Sequence, residues 1–312
     1  MLECIDLFCG AGGLSLGLQR AGITVKLATD LDAGCEATYR RNFGDSPFLR
    51  GDITELRPEE FLDHVESREN LILAGGPPCQ LFSRLNKSPR SNSREVAAYM
   101  NLIRSIKPAH VVFENVPAIK SRSDAWNLVI TTLKDEGYHV EHGILRGIDF
   151  GLPQKRERMI VLASRNKIGL PMGEYDQPKT VREKIGEFPD TSDTIPNHVS
   201  LKLSAGNLAR IRQIRAGENS RARGTSFSDS YSRLHWDAPA PTITTKCISF
   251  SNGRFGHPQY DRALTVREAA TLQGFPHDFI FCGDLWSCAR QVGNAVPPPI
   301  GEALGNAIFA SY

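Results

Sequence analysis

The cysteines of the sequence show no paired spacing. There are 7 of them, an odd number, and no two are separated by the two residues that zinc and redox motifs use. A disulfide framework is therefore not expected, and neither is a zinc site. We predict reduced thiols, no bound metal and a cytoplasmic protein.

Long apolar runs are also missing. No stretch approaches the roughly 20 apolar residues that span a bilayer, and residues 1–6 lack the basic segment and apolar stretch of a signal peptide. With 40% hydrophobic and 23% charged residues, the composition is that of an ordinary globular protein. We therefore expect no membrane partner and about two domains.

A strong net charge is absent as well, since the formal value is only +2. The basic residues nevertheless concentrate between Lys202 and Arg223. This stretch contains six basic residues and a single acid, Glu218, which gives a local charge of 6 − 1 = +5. Such a stretch can neutralise nucleic-acid phosphates. A solvated helix face has the same pattern, and the stretch alone does not separate the two interpretations.

Short apolar runs alternate with helical patterns through the first half of the chain. Strands are predicted at 2–8, 25–29, 71–74, 110–113 and 159–163, with helical patterns between them. This alternation is typical of an α/β fold with a mostly parallel sheet and helices on both faces. The polar stretch from 165 to about 235 predicts a second, smaller and irregular domain.

Helical order returns near the C-terminus. Thr265 and Glu268 have the spacing of a capping box, and Gly274 would end the helix that they begin. A last helix is predicted after residues 297–299, which are three consecutive prolines.

A glycine-rich turn follows the first predicted strand at 8–13. Its glycines allow a ligand to approach the backbone, and the next helix N-terminus favours polar or anionic groups. Asp30 ends the second strand, 30 − 10 = 20 residues after Gly10, where a ribose-binding carboxylate belongs in nucleotide-type folds. Asp52 could meet an adenine edge. Nicotinamide or flavin binding fits this turn equally well.

The turn at 75–80 points to chemistry more strongly. Pro77 and Pro78 fix the backbone just before Cys79, at the carboxyl edge of the predicted sheet where ligands of α/β folds bind. A lone cysteine is more often a small buried hydrophobe, but a rigid turn favours an exposed thiol. The polar stretch 80–93 predicts a lid over this edge.

Three further segments carry polar groups whose role stays open. Glu114 ends the next strand and should point into the same cleft as Cys79, although a buried ion pair or a cap is an alternative. In residues 154–158, an extended backbone would place Arg156 and Arg158 on one face of a strand. There the two guanidinium groups could hold a carboxylate or a phosphate. A row of surface ion pairs is the alternative. Asn294 in 291–297 could bind a ligand or cap the last helix.

Taken together, these segments resemble the DNA (cytosine-5)-methyltransferase family. Asp6–Gly13 is similar to its first cofactor motif, Pro77–Gln80 to its nucleophile motif and Glu114–Val116 to its glutamate motif. Gln154–Arg158 resembles its Q-x-R-x-R motif, and Arg233–Thr242 the motif after its target-recognition region. Thr265–Pro276 with Gly293–Pro297 resembles its last motif. The motifs occur in the family's order from Ile5 to about Ile300.

The resemblance implies an S-adenosylmethionine-dependent methyltransferase fold, which is Rossmann-like. Residues 1–169 and 256–312 would form the catalytic and cofactor-binding domain, and 170–255 a small target-recognition domain. The residues that would surround S-adenosylmethionine are Phe8, Gly10, Ala11, Gly13, Asp30, Leu31, Asp52, Ile53, Pro77, Asn294 and Val296. The residues expected to face DNA are Gln80, Ser83, Arg84, Lys87, Arg210, Arg212, Arg215, Arg221 and Arg223.

The implied reaction is methyl transfer to C5 of a cytosine in a specific duplex sequence. The target base must leave the stack before it can be reached. The Cys79 thiolate would attack C6, Glu114 would engage N3 and the exocyclic amine, and Arg156 and Arg158 would orient the base, the glutamate or a phosphate. The expected partners are double-stranded DNA and a separately acting restriction endonuclease of a bacterial restriction-modification system. We expect a monomer in the bacterial cytoplasm or nucleoid.

Three other functions compete with this one. An RNA cytosine-5 methyltransferase uses the same motifs, but the Cys-Phe-Thr signature of that branch is absent from the variable region. A non-catalytic DNA-binding relative would have lost Cys79 or Glu114, and both are present. A nicotinamide-dependent oxidoreductase is suggested only by the glycine turn and leaves residues 77–80 unexplained.

Overall fold

A computed structural model of the chain describes residues 1–78, 92–121, 123–219, 231–251 and 253–311. The chain divides into two compact units. The first consists of Met1–Arg146, Glu157–Met172 and Val296–Tyr312, and the second of Gly147–Arg156 and Gly173–Ala295. Within the described ranges, no helix is both long and apolar enough to cross a membrane.

The first unit is built on a seven-stranded sheet. Its strands are β1 (Glu3–Leu7), β2 (Thr24–Asp30), β3 (Phe48–Arg50), β4 (Leu71–Gly75), β5 (His110–Asn115), β6 (His139–Arg146) and β8 (Glu157–Ser164). The spatial order is β3-β2-β1-β4-β5-β8-β6. The pairs among β1 to β5 are parallel, whereas β8 runs antiparallel to both β5 and β6. The predicted α/β fold with a mostly parallel sheet is confirmed.

Helices cover both faces of this sheet. They are α1 (Gly13–Arg20), α2 (Ala33–Phe43), α3 (Pro58–Leu62), α4 (Asn92–Ile106), α5 (Ser123–Asp135) and α10 (Pro298–Phe309). Ile5 and Leu7 of β1 belong to the main core cluster, which also holds residues of α4 and α5. The intervening Asp6 accepts a hydrogen bond from Ser15 of α1. Because neighbouring strand residues point to opposite faces, α1 lies on the other side of the sheet.

Helices α1 and α10 touch through their backbones. A Cβ atom on Gly17 would lie 2.3 Å from the carbonyl oxygen of Pro298 and 2.6 Å from Cα of Gly301. The helices can approach this closely only because both positions lack a side chain. Ile300, Leu304 and Ile308 are fully buried along α10, which confirms the predicted last helix.

The second unit contains less regular structure. Its helices are α6 (Val181–Ile185), α7 (Ala205–Ile211), α8 (Val266–Leu272) and α9 (Leu285–Asn294), and its two short strands are β7 (Gln154–Lys155) and β9 (Ala240–Pro241). Thr265 and Glu268 form the predicted capping box at the start of α8. Glu268 is fully buried and accepts two hydrogen bonds from the Arg262 guanidinium, each 2.8 Å long.

Two strands of the seven-stranded sheet were not predicted from the sequence. They are β3, which has only three residues, and β6, most of whose residues are exposed. The division into units also differs from the boundaries expected from the sequence, since residues 147–156 and 256–295 pack within the second unit. The assignment of cofactor binding and target recognition to particular segments stays a prediction.

Candidate active site

The parallel strands of the first unit bring the predicted cofactor and catalytic segments to one edge of the sheet. The glycine turn follows β1, Asp30 ends β2, the 76–78 turn follows β4 and Glu114 lies near the end of β5. Ligands of open α/β sheets bind at this carboxyl edge. The strand order therefore groups residues that lie more than 100 positions apart in the sequence.

The first glycine of the glycine turn, Gly10, is bound by the carboxylate of Asp30, the acid that lies 20 residues further along the chain. The Gly10 N–H donates to Asp30 Oδ2 at 2.9 Å, and burial raises the pKa of Asp30. Phe8, Gly10 and Gly12 all have positive φ angles. A Cβ on Gly10 would meet no atom within 4 Å, so the space in front of the turn is open.

A buried hydrogen-bond chain supports the same turn from below. Ser15 Oγ donates to Asp6 Oδ2 at 2.6 Å, and the Tyr39 hydroxyl donates to Ser15 Oγ at 3.2 Å. Gly12, the N-cap residue of α1, has no side chain that could cap the helix. Asp6 instead accepts a hydrogen bond from Ser15 in the first turn of α1. Burial raises the pKa of Asp6 to about 7. Sequence reasoning missed Ser15 and Tyr39, because no motif spacing marks contacts between α1 and α2.

A second carboxylate with a fixed geometry follows β3. Asp52 Oδ1 accepts hydrogen bonds from the Thr54 backbone N–H and hydroxyl at 2.9 and 2.8 Å, and these bonds lower the pKa of Asp52. Arg94 donates to the Thr54 hydroxyl at 2.8 Å. Leu31, which follows Asp30 in the chain, is 68% exposed, whereas Ile53, which follows Asp52, is buried. A large exposed leucine beside a carboxylate can cover one face of a planar ring.

Glu114 is fixed by an arginine from the neighbouring antiparallel strand. Arg158 Nε lies 2.7 Å from Glu114 Oε1, and the two side chains are only 13% and 10% exposed. A Cβ on Gly76 would lie 2.6 Å from Glu114 Oε2, so the absence of a side chain there leaves room for the carboxylate. Asn115 Nδ2 donates to the Pro77 carbonyl at 3.2 Å, which ties the end of β5 to the proline turn.

Cys79 lies outside the described residues. Four of the other cysteines have thiols whose pKa is raised by their surroundings. Burial raises the pKa of the Cys4 and Cys9 thiols well above the ordinary value, and those of Cys247 and Cys288 to about 12 and 11. None of these four sites favours a thiolate. Among the described residues there is also no group of three or more histidine, cysteine or acidic side chains that could hold a metal ion.

The two arginines that the sequence grouped together have different surroundings. Arg156 belongs to the second unit and is fully buried. Its guanidinium donates to the backbone carbonyls of Ile243, Gly293 and Ala295 at 3.0, 3.1 and 2.9 Å. Strand β7 ends at Lys155 and strand β8 begins at Glu157, so Arg156 lies between two strands. Arg156 and Arg158 therefore do not lie on the same face of one strand. Arg156 joins two backbone segments, the one around Ile243 and the end of α9, and of the two arginines Arg158 contacts the glutamate.

The neighbouring Gln154 has a similar internal role. Its side-chain amide donates to the Leu272 carbonyl at 2.8 Å and also to the side chain of Gln273.

A Cβ on Gly293, at the end of α9, would lie 2.3 Å from the backbone of Thr244, so only glycine fits there. Asn294 is exposed and Val296 is buried.

The basic stretch divides into engaged and exposed arginines. The Arg210 guanidinium lies 4.1 Å from the centroid of the Tyr231 ring, and Arg212 pairs with Asp261 at 3.1 Å. Arg215 is exposed. The remaining residues expected to face DNA lie outside the described residues: Gln80, Ser83, Arg84, Lys87, Arg221 and Arg223.

Solved structures resemble the chain over its whole length. The structure of a DNA modification methyltransferase encoded within an E. coli prophage gives a TM-score of 0.77 at 26% identity, covering 100% of this chain and 99% of that one. Spodoptera frugiperda DNMT2 gives a TM-score of 0.71 at 18% identity, covering 99% and 100% of the two chains, a likeness that concerns the fold alone. The sheet and its helices have the fold of S-adenosylmethionine-dependent methyltransferases.

Sequence comparison narrows the class further. The model of the C-5 cytosine-specific DNA methylase family matches residues 2–310, so the chain belongs to this family. The Type II methylase M.HgiDII of Herpetosiphon aurantiacus is 34% identical, over 97% of this chain and 94% of its own length. The Type II methyltransferase M1.HphI of Haemophilus parahaemolyticus is 32% identical, over 99% and 87%. The expected enzyme class, DNA (cytosine-5)-methyltransferase, is confirmed.

Proposed function

We propose that the enzyme flips its target cytosine out of the duplex and methylates C5 through a covalent bond between Cys79 and C6, with S-adenosylmethionine as donor. The observation that carries the proposal is the buried Glu114–Arg158 pair, 2.7 Å apart, beside the turn that leads to Cys79. A carboxyl group fixed in this way can hold the Watson–Crick edge of an extruded pyrimidine, because it can accept a hydrogen bond from the exocyclic amine and share a proton with N3. Arg158 orients that carboxylate.

The chemistry requires a thiolate because cytosine C5 is a weak nucleophile. Addition of the Cys79 sulfur to C6 makes the ring enamine-like, so C5 can attack an electrophilic methyl group. Loss of the C5 proton to a base then re-forms the C5–C6 double bond and expels the sulfur. Burial disfavours the thiolates of Cys4, Cys9, Cys247 and Cys288. The rigid proline turn that leads to Cys79 makes that thiol the proposed nucleophile.

The described residues at the sheet edge fit the proposed donor. The open space at Gly10 admits a ligand to the backbone, Asp30 suits ribose hydroxyls and Asp52 an adenine edge, and Leu31 offers apolar cover. Bound there, S-adenosylmethionine supplies a methyl group on a positively charged sulfur. The other residues that we assign to this site are Phe8, Ala11, Gly13, Ile53, Pro77, Asn294 and Val296.

Duplex DNA with a specific recognition sequence is the proposed substrate, and the basic residues are its proposed phosphate contacts. Arg210 and Arg215 are the described candidates, whereas Arg212 already has a partner in Asp261. We also propose that the enzyme acts as a monomer in the bacterial cytoplasm or nucleoid, alongside a separate cognate restriction endonuclease. Residues 170–255 are the proposed target-recognition segment.

Two assays test the reaction. Bisulfite sequencing of DNA from an expressing host should first reveal one methylated sequence, which then provides the substrate. The Cys79→Ser variant should transfer no methyl group but still bind the donor, while Cys282→Ser, a matched change at a partly exposed cysteine, should remain active. A duplex with 5-fluorocytosine at the target should trap a covalent adduct with the wild type only, because its fluorine cannot leave. An active Cys79→Ser enzyme would overturn the mechanism.

A further inference from the structure

A cavity lies in the first unit at the edge of the sheet opposite the candidate active site. Its volume is about 310 Å³, within the lower range of ligand pockets. Three segments line it: the one that leads into β4, the one that leads into β5, and the one that leaves the antiparallel strand β8. All of them lie at the amino edge of the parallel strands, so the cavity is separate from the site around Glu114.

The charge of the lining is predominantly positive. Arg68, Lys107 and Arg165 supply three cations, and Glu69 is the single acid among the residues that line the cavity. Backbone hydrogen bonds fix these segments side by side, since the Ala109 N–H donates to the Arg68 carbonyl and the Arg165 N–H to the Ala109 carbonyl, each at 3.0 Å. The cations are therefore brought together by the fold.

The floor of the cavity is polar and rigid. His110 of β5 and Ser164 of β8 are paired in register and are 1% and 0% exposed. Burial lowers the pKa of His110 to about 4, so its ring is neutral at neutral pH and can serve as a hydrogen-bonding group. Ser164 Oγ accepts the N–H of Asn166 at 3.1 Å, which fixes the hydroxyl oxygen.

Two of the cations are held in defined positions. Lys107 follows α4 with a φ of 53°, a left-handed conformation that usually falls to glycine or asparagine at a helix end. A side chain at such a position costs about 1 kcal/mol or more, and strain of this kind occurs at functional sites. The Arg165 guanidinium lies 3.8 Å from the centroid of the Tyr138 ring and donates to the Glu136 carbonyl.

We propose that this cavity, which we call the amino-edge pocket, binds a small molecule with a phosphate or diphosphate group. Two arginines and a lysine supply charge-assisted N–H donors for several phosphate oxygens, and the buried serine and histidine supply neutral polar groups at the floor. Within the described ranges, none of the three cations forms an ion pair, so a ligand would not have to displace a carboxylate. The proposal does not depend on the methyl-transfer mechanism.

Pyrophosphate is the probe for the first test. Isothermal titration of the full-length protein, at constant ionic strength set with sodium chloride, should show saturable binding to one site. The double variant Arg68→Ala, Lys107→Asn should weaken this binding about tenfold or more, because it removes two charge-assisted contacts. Asparagine tolerates the left-handed backbone at 107, so the fold is kept. Glu69→Gln should bind several-fold more tightly, since it removes the single acid of the lining.

Control variants and competition distinguish the outcomes. Arg41→Ala, Arg290→Ala changes the net charge by the same amount at exposed positions that do not line the cavity and should leave the affinity unchanged. Equal losses in both double variants, or no saturable binding, would overturn the proposal. Titration with inorganic phosphate and with a short duplex separates the sources of the phosphate group: displacement of pyrophosphate by the duplex would assign the pocket to the DNA backbone and contradict a small-molecule ligand.

Discussion

The substitution Gly76→Ala should impair catalysis while leaving the fold intact. An added Cβ would lie 2.6 Å from Glu114 Oε2, whereas ordinary contacts begin near 3.4 Å. The carboxylate must therefore move by 3.4 − 2.6 = 0.8 Å, away from the position in which Arg158 holds it at 2.7 Å. Misplacement of a catalytic group by about 1 Å costs on the order of a hundredfold in rate, or about 2.7 kcal/mol in the barrier.

The melting temperature should change little in this variant. The conflicting atom is the far end of a flexible side chain, and the φ of Gly76 is not in the left-handed region, so alanine is not strained there. The neighbouring Gly75→Ala is the control with the opposite expectation. Its Cβ would lie 2.7 Å from the Leu7 carbonyl oxygen in the adjacent strand, which cannot move away. That variant should lose about 1–3 kcal/mol of stability.

The assay follows transfer of a tritiated methyl group to a duplex with the mapped site, with thermal melting of the same preparations. Gly76→Ala should lower kcat on the order of a hundredfold with an unchanged melting temperature, and Gly75→Ala should lower the melting temperature. A Gly76→Ala enzyme with wild-type kcat would refute the reasoning, because the carboxylate would then not need its observed position.

Three further results are expected. Arg156→Met removes the donor of three buried carbonyls, of which the Ala295 carbonyl keeps a hydrogen bond from Gln273. The other two carbonyls cost about 1–3 kcal/mol each, which should lower the melting temperature by about 4 °C or more; an unchanged value would contradict the organising role of Arg156. Asp30→Asn should raise the dissociation constant for S-adenosylmethionine about tenfold in calorimetry, and equal affinity would remove Asp30 from the cofactor site. Burial lowers the pKa of His257 to about 3, below the ordinary value, so its contribution to stability is present above about pH 6.5 and lost as the pH falls. His257→Asn should therefore lose less unfolding free energy than the wild type between pH 7 and pH 5 in urea titrations, and parallel curves would contradict this.

The sequence predicted the elements whose residues are buried in a regular pattern. Strands β1, β2, β4 and β5 consist largely of buried residues. The parallel arrangement of β2 and β5 then brings Asp30 and Glu114, at or near their carboxyl ends, to the same edge of the sheet. Strand β6 was missed because it is an edge strand whose exposed residues alternate irregularly. The strand conformation of β6 depends on its pairing with β8, and a local sequence pattern does not encode that pairing.

The side chains around the site were predictable only in part. Glu114 could be placed because it ends a strand, but its partner Arg158 lies 44 residues further along, 158 − 114, on an antiparallel strand. The spacing of Arg156 and Arg158 suggested a shared face, and the change of strand between them separated their roles. Ser15 and Tyr39 act through tertiary contacts, to which motif spacing is blind.

The backbone contact between α1 and α10 has a consequence for synthesis in the cell. Gly17 and Gly301 are 301 − 17 = 284 residues apart. At roughly 5–20 residues per second, a ribosome needs about 14–57 s to add that much chain. During this time the glycine surface of α1 has no native cover, so a nascent first unit can complete its packing only after α10 has emerged.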